Sequence, residues 1–131
     1  MDNSSIAKIL RDIGIYLEMD NIPFKPRAYE KVAEAVEELG ESIEEIYKFG
    51  GLKAIEKIPG VGISIAEKIE ELLKTGKVKY HNQLQKKIPV NLDELRTVQG
   101  LGPKTIKILY QKLKVKNLKD LEKAVKERKI R

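Results

Sequence analysis

Two short runs carry the most specific chemistry in this chain. Ile58-Pro59-Gly60-Val61-Gly62 and Val98-Gln99-Gly100-Leu101-Gly102 share one pattern and stand forty residues apart. Internal repetition lifts the signal above that of a single Gly-x-Gly. Glycine permits positive φ and has no Cβ, so at Gly60, Gly62, Gly100 and Gly102 the backbone can come close to a ligand. The apolar residue between each pair, Val61 or Leu101, can plug the gap between two flanking helices. The first N–H groups of the following helix then face outward, where the helix dipole favours an anion. A phosphate oxygen is the natural occupant, and such contacts position a nucleic acid without reading its bases. Two other readings stay open. The pattern can be a tight interhelical turn that binds nothing. It can also be a mononucleotide-binding glycine loop, although the preceding strand and third glycine of the dinucleotide fingerprint are missing.

The charge is unevenly spread. Residues 1–80 hold 12 Lys/Arg against 15 Asp/Glu, a balance of −3, whereas residues 81–131 hold 14 against 5, a balance of +9. That asymmetry suggests a polyanionic partner for the second half. The bland alternative is a solvated, lysine-rich surface. Lys104 and Lys107 follow the second hairpin, whereas Ser64 and Glu67 hold the matching places after the first. The second hairpin is therefore expected to dominate affinity for DNA. With no cysteine and one histidine, His81, disulfides, thiolate sites and His-cluster metal sites are excluded. No apolar run approaches the roughly 20 residues that span a bilayer. The N-terminus lacks a basic segment followed by an apolar one, so it does not read as a secretory signal. An intracellular, monomeric protein is expected, cytoplasmic and nucleoid-associated if prokaryotic.

The elements that must position these runs all read as helix, because no segment alternates apolar and polar residues over strand length. The fold class expected is all-α: a small helical bundle with two helix-hairpin-helix motifs, spanning residues 56–75 and 92–113. Asn3 or Ser4 is expected to cap a first helix that carries Ile6, Leu10, Ile13 and Leu17 on one face. Pro23 and Pro26 are expected to stay outside helix. Ser42 with Glu45 has the form of a capping box, and Gly50-Gly51 should end that helix. Gly76 suits the C′ position after a helix over residues 64–75. Asn91 and Asn117 are expected caps, and Pro103 suits the first helical position. A last helix should fade over residues 126–131, where the basic end reads as a break in mid-chain. The sub-domain boundary is expected near residues 76–90.

Taken together, the chain resembles the N-terminal part of the family X DNA polymerases, the group of polymerase beta. The resemblance covers essentially the whole chain. It runs through residues 6–19, Pro23-Phe24-Lys25-Pro26-Arg27-Ala28-Tyr29, residues 58–69, Thr75-Gly76-Lys77 and Gly100-Leu101-Gly102-Pro103-Lys104. The Arg-Ala-Tyr and Ala-Glu-Lys-Ile elements are its most specific parts. It implies a lyase-type helical domain over residues 1–80 and the start of the polymerase domain over residues 81–131. It also implies that the hairpin carbonyls of Glu56, Ile58 and Val61, and of Arg96, Val98 and Leu101, bind a monovalent cation, K⁺ or Na⁺. Polymerase chemistry needs clustered aspartates that hold two metal ions. The five aspartates here are scattered and none forms Asp-x-Asp, so these residues alone are not expected to polymerise.

The same resemblance aligns the family's lyase nucleophile with Lys68. Such a lysine attacks the C1′ aldehyde of an abasic or 5′-deoxyribose phosphate sugar, forms a Schiff base, and leads to β-elimination of the phosphate. The amine must be neutral, which partial burial or nearby cations favour. At about 100° per residue, Lys68 falls about 85° from the centre of the apolar face formed by Ile65, Ile69, Leu72 and Leu73. A border lysine can be partly desolvated, or can simply snorkel. In polymerase beta a lysine stands at the position of Ser64 and a basic residue at that of Tyr80. Here Lys25, with Tyr29 nearby, is left to hold a 5′-phosphate. Glu67 could shuttle a proton or be a solvated helix carboxylate. The alternatives are a non-catalytic hairpin module that anchors a partner enzyme on DNA, and a helical protein-interaction domain.

Overall fold

A computed structural model describes residues 1–127. Among the described residues the chain is all helical: α1 (Asn3–Met19), α2 (Lys25–Glu38), α3 (Ile43–Glu56), α4 (Ile63–Thr75), α5 (Lys79–Lys87), α6 (Leu92–Leu95), α7 (Pro103–Leu113) and α8 (Leu118–Lys126). The last helix was expected to fade as far as Arg131, and residues 128–131 of that reading lie outside the described residues. No described helix is long and apolar enough to cross a membrane.

Local signals account for several helix ends. Asn91 and Asn117 cap α6 and α8, accepting from the N–H groups of Glu94 (3.1 Å) and Asp120 (2.8 Å). Gly76 closes α4 in the left-handed conformation (φ 78°), its N–H bonded to Leu72 O at 2.8 Å. Gly51 breaks α3 (φ 65°, ψ −158°), as the glycine pair implied.

Three ends differ from expectation. Asp2 caps α1, accepting from Ser5 N at 2.8 Å, in place of Asn3 or Ser4. Asn3 instead crosses to α3: its Oδ1 accepts from Ile43 N (2.8 Å) and its Nδ2 donates to Glu41 O (2.8 Å). Ser42, at the N-cap of α3, makes no side-chain capping bond, and the N–H of Ile43, the first helical residue, donates to Asn3. Finally, Pro26 lies inside the first turn of α2. A first-turn N–H has no helical acceptor, so losing it costs nothing there.

The core centres on α1. Ile6, Leu10, Ile13 and Leu17 pack against Val32, Ala33 and Val36 of α2, and Ile65, Ile69 and Leu72 of α4 belong to the same buried cluster. Gly14 permits the close approach of α1 and α2: a Cβ there would lie 3.1 Å from both Pro26 O and Tyr29 Cβ. The same cluster takes in Leu84, Ile88, Leu95, Ile106 and Leu109, so the second hairpin rests on α1 as well. Tyr16, fully buried, donates to Val90 O at 3.4 Å. Lys8–Asp93 (3.0 Å) and Lys87–Asp20 (2.7 Å) tie the same two parts at the rim.

Candidate nucleic-acid interface

The two hairpins have the same backbone. In the first, Ile58 N–H donates to Ile55 O (3.1 Å), Val61 N–H to Ile58 O (3.0 Å) and Ala66 N–H to Gly62 O (2.9 Å). In the second, Val98 donates to Leu95 (3.2 Å), Leu101 to Val98 (3.2 Å) and Ile106 to Gly102 (3.0 Å). Gly60 and Gly100 lie at φ 84° and 86°, where a side chain would be strained. Gly62 and Gly102 lie at φ −92° and −91°, with extended ψ. Positive φ therefore explains only the first glycine of each pair, not both as expected.

The second glycine faces outward. Beyond its chain neighbours, a Cβ on Gly62 or Gly102 would meet no atom of the described residues within 4 Å. These residues are the N-caps of α4 and α7, and neither helix has a side-chain cap. The orphan N–H groups of the first turn thus open onto bare Cα atoms and free space. Val61 is buried between the helices as expected, whereas Leu101 is half-buried. Lys104 is exposed and Lys107 half-buried beside the second N-terminus, and among the described residues no ion pair engages either. Exposed Ser64 and Glu67 flank the first.

The Ile58 and Val98 carbonyls each accept one turn N–H and keep a second lone pair. Among the described residues no cluster of His, Cys, Asp and Glu could hold a metal ion.

One neighbourhood is invisible in the sequence. A cavity of about 720 Å³ lies between α1, α2 and the start of α7, and its lining includes Phe24, Arg27 and Lys104. Phe24 is 90% exposed at φ 66°. Only the packing of α7 on α1 brings Arg27 and Lys104 to one cavity.

A second pocket, about 310 Å³, gathers Lys25, Ala28, Tyr29, Ser64, Ile65, Lys68 and Tyr80. Helix α4 places Ser64 and Lys68 one turn apart, and Lys68 Nζ donates to Ser64 Oγ at 3.0 Å. Burial pushes the Lys68 ammonium below the ordinary lysine value, and the charge of Lys25 lowers it further, while Glu67 and Glu71 act against the shift. Burial pushes the Tyr29 phenol up to about 12, with Tyr80 adding to the shift. Glu67 is exposed and is not among the lining residues.

Tyr80 enters this pocket through the turn after α4. Thr75 Oγ1 donates to Glu71 O (2.8 Å) and accepts from Lys77 N (3.2 Å). Glu71 Oε2 accepts from Lys79 N at 2.8 Å and so pins the start of α5. Tyr80, the second residue of α5, then lays its ring 5.0 Å from Lys68 Nζ. In the sequence Tyr80 shows only as a lost basic position, because the tight Thr75–Lys79 turn that folds α5 back toward α4 leaves no local signal for the ring's place.

The helix-hairpin-helix domain model matches residues 1–78. Over 132 aligned residues the chain is 32% identical to the DNA polymerase/3′-5′ exonuclease PolX of Bacillus subtilis (strain 168). That alignment takes in 99% of this chain and 22% of the relative, so the chain spans about a fifth of that protein's length. The resemblance to the family X polymerases is thus matched along the whole chain.

Proposed function

Since this chain belongs to the helix-hairpin-helix domain family, we propose that it grips DNA by the sugar-phosphate backbone, without reading base sequence, as part of a family X DNA polymerase. The observation that carries this reading is the paired hairpin. Two segments forty residues apart share the same turn bonds, the same glycine conformations and the same uncapped helix N-termini. A backbone N–H cradle with no side chain in front of it recognises an anionic oxygen and nothing about the bases. K⁺ or Na⁺ held by the hairpin carbonyls would add positive charge facing the phosphate. In this reading residues 1–80 form the lyase-type unit and residues 81–131 supply the second grip, with Lys104 and Lys107 adding positive charge. The test is fluorescence anisotropy with unrelated duplexes over a salt series. Affinities that agree between sequences and fall linearly with log salt support it, and strong sequence preference overturns it.

The pocket at Lys68 supports a second step, lyase chemistry on an abasic or 5′-deoxyribose phosphate end. Lys68 is half-buried, has Lys25 acting to neutralise it, and lines a cavity of about 310 Å³. In this reading Lys25 and Tyr29, which line the same pocket, meet the phosphate end. The neutral amine attacks the C1′ aldehyde, and the N–C bond forms. The oxygen leaves as water, with one proton from nitrogen and one from solvent. The product is a cationic iminium. A proton then leaves C2′, the C3′–O bond breaks, and the phosphate departs with the electron pair. Water hydrolyses the conjugated imine and returns the lysine. Borohydride trapping on incised abasic DNA, lost in Lys68→Ala, supports this step; absence of trapping leaves a non-catalytic anchor.

A further inference from the structure

Lys68 has only two close polar or aromatic neighbours described at its amine: the Ser64 hydroxyl at 3.0 Å and the ring of Tyr80, whose centroid lies 5.0 Å from Nζ. No ion pair engages Lys68 among the described residues. A cation over an aromatic face at this distance is stabilised without a carboxylate. The distinction matters for a lysine that must change charge during turnover. A carboxylate at the same place would hold the ammonium strongly and keep the amine protonated. A ring stabilises a cation more weakly and presents no basic atom to compete for its proton.

We propose that Tyr80 is a positioning residue for Lys68, its ring face stabilising the iminium that forms when the amine condenses with a sugar aldehyde. The inference rests on the lyase reading above and deepens it. The iminium is cationic but keeps only one of the three N–H groups with which an ammonium holds its water. It is therefore the state that gains most from a π-face, relative to the hydrated alternative. The geometry suits this order of events. Ser64 Oγ, one turn back on α4, accepts from the free amine and holds it beside the ring before attack. Once the C–N double bond forms, that hydrogen bond is weakened or lost, while the ring remains in place because Glu71 and Thr75 fix the start of α5. The pocket therefore favours a cationic intermediate at a position where a lysine or arginine would repel it. Substrates that form an imine with an amine, namely deoxyribose aldehydes, are the class selected.

The experiment measures single-turnover borohydride trapping on incised abasic DNA from pH 6 to 9, with the whole chain and with Tyr80→Phe, Tyr80→Trp, Tyr80→Leu and Lys68→Ala. Binding of the same DNA is followed by anisotropy, and melting of each variant by circular dichroism. The expected result is trapping by Tyr80→Phe and Tyr80→Trp within about threefold of the parent. Tyr80→Leu should trap about tenfold more slowly with affinity unchanged, and its pH midpoint should move down because the ammonium has also lost the ring. Equal trapping by Tyr80→Leu overturns the proposal and leaves the lyase reading standing. A loss in Tyr80→Phe as large as in Tyr80→Leu also overturns it, since the hydroxyl would then be the acting group. If Tyr80→Leu melts early, the ring series decides: a Phe or Trp variant that folds but traps tenfold more slowly refutes the role. No trapping by the parent at any pH removes the lyase reading and this inference together.

Discussion

The guanidinium of Arg96 stands 2.9 Å from Oδ1 of Asp12, a carboxylate only 5% exposed. Asp12 belongs to α1, and Arg96 follows α6 at the root of the second hairpin. Lys8 Nζ (3.5 Å) and His81 Nε2 (3.7 Å) face the other oxygen of the same carboxylate. Asp12 is the buried polar residue among the described core positions, and it lies where α1 meets the chain beyond residue 80. A buried charge of this kind is tolerated only with partners, and removing one partner leaves the other uncompensated.

The first prediction concerns that node. Asp12→Asn should lower stability by roughly 2 kcal/mol, less than for a fully enclosed pair because Arg96 and Lys8 can turn to water. Arg96→Met should cost about as much, since it leaves Asp12 with only the more distant Lys8 and His81. The double variant should cost less than the sum, with about 1 kcal/mol of coupling. Urea denaturation of the four proteins measures this, and strict additivity would show that the two residues do not act as a pair.

Acid should loosen the fold through two other carboxylates. The Arg11 guanidinium holds the Glu37 carboxyl below its ordinary 4.5, and Lys8 holds that of Asp93 below its ordinary 3.8. A carboxylate with a lowered folded pKa contributes stability that is complete above its unfolded value and is lost as pH falls through the folded one. Melting temperature is therefore expected to be flat near neutral pH and to drop below about pH 4. In Arg11→Met the Glu37 part of the acid slope should shrink, and an unchanged slope would contradict the assignment.

The glycines should separate folding from binding. Gly60→Ala and Gly100→Ala force a side chain onto φ 84° and 86° and should each cost about 1 kcal/mol of stability. A Cβ at Gly62 or Gly102 finds open space beyond its chain neighbours, so Gly62→Val and Gly102→Val should melt close to the parent. They should weaken DNA binding severalfold, because the added carbons stand where a phosphate would approach the first-turn N–H groups. A Gly102→Val protein that binds as the parent does would show that this face is not the contact.

Charge at the second hairpin should set affinity for continuous duplex. Lys104→Glu is expected to weaken binding to unrelated duplexes by similar factors. Removing one lysine–phosphate contact should lower the log–log salt slope by about 1. Gly62→Val and Ser64→Glu should matter less for duplex and more for ends that carry a 5′-phosphate. The readout is anisotropy over a salt series, and an unchanged slope in Lys104→Glu would place the lysine away from the phosphates.

The reactivity of Lys68 should rise with pH. Only the neutral amine condenses with an aldehyde, and burial and Lys25 hold the amine below the ordinary 10.5 of lysine. Trapping should therefore climb through a midpoint below that value. Lys25→Ala removes a like charge, makes the ammonium easier to keep, and should move the midpoint upward. A downward move would mean that Lys25 does not act on Lys68 through charge.

The sequence by itself determined whatever depends on neighbours along the chain. The glycine pairs, Pro103, Asn91, Asn117 and Gly76 mark turns and helix ends through φ preferences and short-range hydrogen bonds, and the periodic Ile and Leu residues mark the helices. The repeat of one turn at residues 60 and 100, and the charge imbalance between the halves, could be read with no coordinates. Tertiary structure decided what depends on partners far along the chain. Asn3 reaches the start of α3 across 40 residues and takes the Ile43 N–H, while the local Ser42 side chain makes no capping bond. Gly14 matters only because α2 crosses it. The division of labour within each glycine pair needed the backbone angles, since the letters Gly-x-Gly are silent on which residue is strained and which faces open space. Lys68 could be placed on the border of a helix face, but its environment could not. The hydroxyl at 3.0 Å lies on its own helix; the ring at 5.0 Å comes from another, turned back by a side-chain hydrogen bond from Glu71. Helical periodicity fixes the direction in which a side chain leaves its axis, while the three-dimensional packing of helices fixes what it meets there.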